Sequence, residues 1–106
     1  MQPGRFAIIT AVLCGIACAV PAQAATIKVE MKDLVVTPAE ITAKVGDTIV
    51  WDNQDVFAHT ATATDKSFDV MLPPKKSGSL KVTKAGTFDY FCKFHPNMKG
   101  KVTVTP

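Results

Sequence analysis

The strongest constraint on the fold is an alternation of apolar and polar residues that begins just after position 24. Between Ile27 and Met31 every second residue is apolar and those between are charged, and residues 41–45 repeat the pattern. A period of two belongs to a β-strand, whose successive side chains point to opposite faces. Val, Ile and Thr, which suit pleated sheets better than helices, supply 24 of the 82 residues after position 24. The sequence therefore predicts an all-β protein.

Further strand candidates follow one another along the chain, separated by turn signals such as Gly46-Asp47, Pro73-Pro74 and Ala85-Gly86. These candidates are residues 34–37, 48–52, 59–64, 79–83, 87–92 and 101–105. Seven or eight short strands with no internal repeat and no linker predict one domain, either a two-sheet sandwich or a small Greek-key barrel.

The first 24 residues have the three parts of a secretory signal peptide. A short basic start is followed by an apolar run over residues 6–20 and by the small-residue end Pro21-Ala22-Gln23-Ala24. The apolar run is shorter than the ~20 residues that a membrane-spanning helix needs. We therefore expect cleavage after Ala24, export to the periplasm and a mature domain of residues 25–106.

The cysteine count changes with this cleavage. Cys14 and Cys18 leave with the signal peptide, so the mature chain keeps Cys92 as its one thiol and cannot form an internal disulfide. The alternative of a lipoprotein anchored at Cys18 needs a leucine-rich box, of which residues 15–17 supply only the small residue. An exported thiol is open to oxidation unless it is buried or coordinated, which makes Cys92 a candidate metal ligand.

The charge balance argues against a nucleic-acid partner. The formal net charge is +3 for the whole chain, and the mature chain has 11 lysines against nine acidic residues. Such a weakly basic balance is too small to indicate binding to a polyanion.

The chemistry-bearing residues are concentrated near the C-terminus. Cys92, His95 and Met98 recur every third residue in a loop between two predicted strands, so a tight turn can direct all three side chains to one point. The other histidine of the mature chain, His59, begins an earlier strand candidate. Thiolate and thioether favour copper, and two His and a Cys with a weak axial Met are the electron-transfer copper arrangement. Zinc makes little use of methionine, and an iron–sulfur cluster needs more cysteines.

Four segments carry a resemblance to the cupredoxins, the small blue copper proteins, and most closely to their amicyanin-like group, and the match covers essentially the whole mature chain. The segments are Val45-Gly46-Asp47-Thr48-Ile49-Val50-Trp51, Asp55-x3-His59-Thr60, Ala85-Gly86-Thr87-Phe88-Asp89-Tyr90-x-Cys92-x2-His95-Pro96-x-Met98 and Gly100-x-Val102-x-Val104. The resemblance implies a cupredoxin-like Greek-key β-sandwich of about eight strands with one type 1 copper ion per chain. It implies as ligands the imidazoles of His59 and His95, the thiolate of Cys92 and the thioether of Met98, in an electron carrier that is a monomer and not an enzyme.

Two residues beside the implied ligands are departures from the family pattern that matter for the site. Thr60 stands where many members have an Asn that ties the two ligand loops together, although its backbone N–H can still donate toward the Cys92 sulfur. Lys93 would place a cation beside the thiolate if its side chain pointed inward.

The resemblance also implies that redox partners dock transiently where the ring of His95 reaches the surface. An apolar patch is expected around it, built from Phe94, Pro96, Met71, Leu72, Pro73 and Pro74, with Phe57 in the wall of the site. Five lysines are candidates for a ring around this patch, although a solvated charged face explains them as well: Lys75, Lys76, Lys93, Lys99 and Lys101.

Other interpretations of the same residues remain. Singly, His59 is typical of a core or surface histidine, Cys92 of a small buried apolar residue and Met98 of core filling. A periplasmic copper carrier or buffer would use the same ligands, with Met31 and Met71 as auxiliary soft donors. A Cys–His nucleophilic enzyme would need a base oriented by a third group and a substrate cleft, and the sequence indicates neither.

Overall fold

The computed structural model describes residues 23–106, and every regular element in that range is a β-strand. The strands are β1 (Thr26–Lys32), β2 (Val35–Thr37), β3 (Glu40–Lys44), β4 (Thr48–Asn53), β5 (His59–Ala63), β6 (Asp69–Leu72), β7 (Ser77–Lys81), β8 (Gly86–Phe91) and β9 (Lys99–Thr105). The predicted all-β sandwich is confirmed, with nine strands in this range where about eight were expected. Within the same residues, no helix has the length and apolarity that crossing a bilayer requires. The predicted signal peptide, residues 1–24, lies outside the described residues except for its last two positions. It therefore stays a prediction.

The strands form two sheets. One has the order β2-β1-β4-β7 and the other the order β3-β9-β8-β5-β6. Two neighbouring pairs, β1 with β4 and β3 with β9, are parallel, and the remaining pairs are antiparallel. Because strands that follow each other in the chain often belong to different sheets, the chain crosses repeatedly from one layer to the other, as in Greek-key folds.

Strand β4 shows how alternate residues of a strand supply the core. Its residues alternate between partly exposed and buried, so that Ile49, Trp51 and Asn53 all face inward. Trp51 is completely buried and packs edge-on against Tyr90 of β8, with ring centroids 5.5 Å apart, and against Phe68 at 5.9 Å. Burying an aromatic ring of this size stabilises the fold by about 1.5–3 kcal/mol. Trp51 and Tyr90 thus join the two sheets.

Strand β6 was not predicted from the sequence, and it corrects one prediction about the surface. In the pairing of β5 with β6, Leu72 lies opposite His59, and its side chain is completely buried. The assignment of Leu72 to an exposed apolar patch is therefore wrong, because alternate residues of this edge strand turn into the core. Met71, its neighbour, is exposed as expected.

Candidate metal centre

Three of the predicted ligand residues meet at one end of the sandwich. His59 is the first residue of β5, Cys92 directly follows β8, and His95 lies in the connection from β8 to β9. The Nδ1 atoms of the two histidines are 3.2 Å apart, and the Cys92 Sγ lies 3.7 Å from one and 3.8 Å from the other. One ion bonded to all three atoms at about 2.0–2.3 Å would require separations of this size.

The loop that carries the C-terminal residues is closed by its own backbone. The N–H of Met98 donates to the carbonyl of His95 at 2.9 Å, and the N–H of Cys92 donates to the carbonyl of Met98 at 3.0 Å. These bonds explain the spacing of three residues, because they fold the segment back so that Met98 returns to Cys92. The Met98 side chain is only 2% exposed, and those of Cys92 and His59 are fully buried.

The orientation of His59 is fixed from behind by a carboxylate. Its Nε2 lies 2.8 Å from Oδ2 of Asp55, so the Nε2–H donates to the carboxylate and the Nδ1 lone pair faces Cys92. Asp55 also accepts backbone N–H bonds from Asp33 at 2.7 Å and Leu34 at 3.1 Å. Burial by itself raises the pKa of Asp55, but the bonds from His59 and the two backbone groups outweigh it and hold the pKa below its usual value.

Asn53 in turn holds Asp55 and the neighbouring loops. Its side-chain oxygen accepts the backbone N–H of Asp55 at 2.8 Å, and its amide nitrogen lies 2.8–3.2 Å from the carbonyls of Phe57, Leu72 and Pro73. Neither Asn53 nor the carboxylate of Asp55 was assigned a role from the sequence. The spacing of four residues between Asp55 and His59 was the signal that could have indicated their contact.

Thr60 replaces the Asn of the family pattern and still ties the two ligand segments together. Its backbone N–H donates to the Cys92 Sγ at 3.4 Å, as the sequence predicted. Its hydroxyl oxygen accepts the backbone N–H of Lys93 at 2.9 Å, which is a second bond between the same two segments. Two hydrogen bonds therefore link Thr60 of β5 to Cys92 and to the next residue, Lys93.

Lys93 does not place its charge beside the thiolate. Its side chain turns outward, and its Nζ lies 2.8 Å from Oδ2 of Asp69 at the surface. The bond from Lys93 is the main cause that lowers the pKa of Asp69 below its usual value. The condition under which Lys93 would act on the sulfur directly is therefore not met.

His95 is the ligand candidate nearest to solvent. Its side chain is half-buried, and its ring centroid is 6.0 Å from that of Phe57, which is 54% exposed. Phe94 and Met71 are also about half exposed, and Val56, absent from the sequence prediction, is 67% exposed. The five lysines named from the sequence are all exposed, and Lys75 donates to the backbone carbonyl of Gln54 at 2.6 Å.

The donor set fits copper. A buried thiol lies against two imidazole nitrogens that are too close to face each other without a proton or a metal cation between them. Thiolate, two imidazoles and a thioether are the soft and intermediate ligands that blue copper sites use. The described residues bring no fourth Cys or His to this cluster, as a structural zinc site would require.

The sandwich and this donor set define a cupredoxin, and the family comparison agrees. The family model for the cupredoxin-like domain matches residues 5–104, so the chain belongs to that family. Its cofactor is one type 1 copper ion, and members of the family are electron carriers.

Amicyanin and plastocyanin are among the individual proteins to which the chain is similar. Amicyanin from Paracoccus versutus is 37% identical, with 80% of this chain and 67% of that protein aligned. Plastocyanin from Scenedesmus fuscus is 33% identical over 67% of this chain and 87% of that protein. The crystal structure of amicyanin from Paracoccus versutus superposes with a TM-score of 0.66 at 33% identity, covering 83% of this chain and 87% of the other.

Proposed function

We propose that this protein carries single electrons between redox partners in the periplasm, with copper held by His59, Cys92, His95 and Met98. The observation that carries the proposal is the convergence of the buried Cys92 thiol and two imidazole Nδ1 atoms, all within 4.8 Å of one another. Copper bound there supplies a one-electron couple between Cu(II) and Cu(I).

The residues around the ligands keep their positions fixed. Asp55 holds the ring of His59, the Met98 carbonyl holds the Cys92 backbone, and Thr60 donates to the Cys92 sulfur. Ligands held in this way need to move little when the charge at the site changes, which favours rapid electron transfer. The supporting contacts come from β5 and two loops, so the fold itself sets the ligand positions.

The half-buried ring of His95 is the proposed point of electron exit. Phe57, Phe94, Val56 and Met71 expose apolar side chains at this end of the sandwich, which suits a small transient interface. The exposed lysines near it favour a partner with an acidic docking face, because complementary charge accelerates encounter. We propose that the protein acts there as a monomer.

The N-terminal sequence supports the proposal of export. A basic start, an apolar run and a small-residue end over residues 1–24 are typical of a secreted precursor. A buried and coordinated Cys92 suits an oxidising compartment, because coordination protects the thiol.

Retention of copper distinguishes an electron carrier from a copper carrier or buffer. We would load the mature protein, residues 25–106, with Cu(II) and pass it through repeated reduction and oxidation with a competing Cu(I) chelator present. Because His59, Cys92 and Met98 are buried, we expect copper to stay bound while the protein exchanges one electron per copper. Rapid transfer of copper to the chelator during these cycles would contradict electron transfer and support delivery of the metal.

A further inference from the structure

The outer face of the sheet beside the site carries two buried threonines. Alternation along β5 turns Ala61 and Ala63 into the core and Thr60 and Thr62 to the opposite face. Thr60 is nevertheless fully buried and Thr62 is 9% exposed. Buried hydroxyl groups need hydrogen-bond partners, so the contacts of these two side chains are informative.

The two hydroxyls belong to a closed ring of hydrogen bonds. The backbone N–H of Lys93 donates to the Thr60 oxygen at 2.9 Å, the Thr60 and Thr62 oxygens are 2.8 Å apart, and the Thr62 oxygen is 2.8 Å from Oδ1 of Asp69. The Nζ of Lys93 binds the other carboxylate oxygen of Asp69 at 2.8 Å and so returns to the residue where the ring began.

The direction of the bonds follows from counting hydrogens. An ionised carboxylate only accepts, and each threonine hydroxyl has one hydrogen to donate. Thr62 therefore donates to Asp69, and Thr60 donates to Thr62. The Thr60 oxygen is then oriented to accept from Lys93, the residue that follows the Cys92 thiol.

We infer that Thr62 and Asp69 are positioning residues that hold the Thr60 N–H against the Cys92 sulfur and thereby raise the reduction potential of the copper site. The inference rests on the proposed function, because the potential belongs to bound copper. An N–H bond withdraws electron density from the thiolate, which then stabilises Cu(II) less. The exposed pair of Lys93 with Asp69 adds little stability by itself, so the role of the ring lies in geometry.

The test compares variants that differ by one hydroxyl or one carboxylate. Thr62→Val removes the hydroxyl at nearly constant volume, Thr62→Ser keeps it, and Asp69→Ala removes the acceptor at an exposed position. Thr64→Val is the matched control, because Thr64 is exposed just beyond β5 and its hydroxyl donates to the carbonyl of Asp89, which is not a member of the ring.

Two measurements distinguish the effect of the ring on the backbone from its effect on the bound copper. In the metal-free protein, amide hydrogen exchange at Thr60 and Lys93 should accelerate about fivefold in Thr62→Val and Asp69→Ala. Each variant opens the ring and leaves the bond from the Lys93 N–H to the Thr60 hydroxyl without support, and a fivefold factor corresponds to the net contribution of that one bond. In the copper-loaded protein both variants should shift the reduction potential to lower values, whereas Thr62→Ser and Thr64→Val should match the wild type.

Exchange rates that do not change in Thr62→Val or Asp69→Ala would overturn the inference, because the ring would then hold nothing in place. Faster exchange with no shift in potential would overturn it as well, since the ring would then have a purely structural role. Failure of the wild type to form a blue copper site would contradict the proposed function instead. The exchange rates would still show whether the ring holds Thr60 and Lys93 in place.

Discussion

The two histidines of the centre are held in different ways. His59 is fully buried, and its Nε2 donates to the carboxylate of Asp55, whereas His95 is half-buried beside the exposed ring of Phe57. A carboxylate behind an imidazole raises its basicity and fixes its tautomer. His59 is thus suited to anchor the metal, and His95 to connect it with the surface.

Replacing the carboxylate behind His59 tests whether His59 anchors the metal. Asp55→Asn should lower copper affinity roughly 10- to 100-fold and raise the reduction potential, because a less basic imidazole stabilises Cu(II) less. Competition titration with a Cu(II) chelator measures the affinity. Asp33→Asn is the control, since Asp33 contacts Asp55 only through its backbone N–H and its positive φ of 53° suits Asn. Equal affinities for wild type and Asp55→Asn would show that the carboxylate has no part in binding.

The thioether of Met98 should set the potential more than the affinity. We expect Met98→Gln to keep copper bound while lowering the potential, because an amide oxygen is a harder axial ligand that favours Cu(II). Voltammetry of the loaded protein measures the change. The matched control is Met71→Gln, which alters an exposed methionine outside the cluster. An effect of Met71→Gln as large as that of Met98→Gln would argue for auxiliary soft ligands of a copper carrier.

At the scale of the strands, the sequence predicted most directly those elements in which apolar and polar residues alternate. Strands β1 and β3 bury or partly bury every second residue, and the alternation of apolar and polar residues in their sequences reports this directly. Strand β6 was missed because its sequence Asp-Val-Met-Leu does not alternate, although its burial does. The strand predicted at 79–83 begins at Ser77 in the structure, because Ser77 and Gly78 pair with Asp52 and Trp51 of β4.

The same distinction separates the predicted from the unpredicted parts of the site. The spacing of Cys92, His95 and Met98 is local, so one loop closed by its own backbone determines it. The ring of Thr60, Thr62, Asp69 and Lys93 depends on the pairing of β5 with β6, and that pairing could not be foreseen without β6. Contacts between distant strands are set by the register of the sheet rather than by local sequence.

The stability of the fold should depend on pH through Asp47, which lies in the turn between β3 and β4. Asp47 accepts the backbone N–H groups of Ala25 at 2.8 Å and Lys44 at 2.9 Å, and these bonds lower its pKa from the ordinary 3.8. A carboxyl group with a lowered folded-state pKa stabilises the fold above its unfolded-state value, and this stabilisation is lost as the pH falls through the folded value. Asp47→Asn should therefore be less stable than wild type near neutral pH, and the difference should shrink below about pH 4.

Urea unfolding of the metal-free protein across this pH range measures the effect. Asp65→Asn is the comparison variant. The bonds from Ser67 also lower the pKa of Asp65, but Asp65 is exposed and these bonds lie within one turn, so its pH-dependent loss of stability should be smaller. A gap between wild type and Asp47→Asn that stays constant down to strongly acidic pH would contradict the assignment.

At the scale of the whole molecule, exposed lysines lie both near the site and far from it. Lys76 and Lys99 are exposed next to the loops that hold the ligands, whereas Lys44 ends β3, opposite Thr105 at the far end of β9. A positive potential near the electron exit should attract anions and accelerate their encounter.

Small redox probes test this field without a protein partner. Oxidation of the reduced protein by ferricyanide should slow severalfold in Lys76→Glu and Lys99→Glu, and a cationic cobalt complex should show the opposite trend. Both effects should fade as ionic strength rises. Lys44→Glu makes the same charge change at the far end and should alter the rates little. Equal slowing by Lys44→Glu would mean that only the net charge matters.

The most direct measurement is the visible absorption and electron paramagnetic resonance spectrum of the mature protein after addition of one equivalent of Cu(II). Coordination by the Cys92 thiolate with His59, His95 and Met98 predicts an intense blue thiolate-to-copper charge-transfer band and a narrow copper hyperfine splitting, both of which Cys92→Ser should abolish. A colourless protein with the spectrum of ordinary square-planar copper, or a blue colour that persists in Cys92→Ser, would contradict the type 1 site.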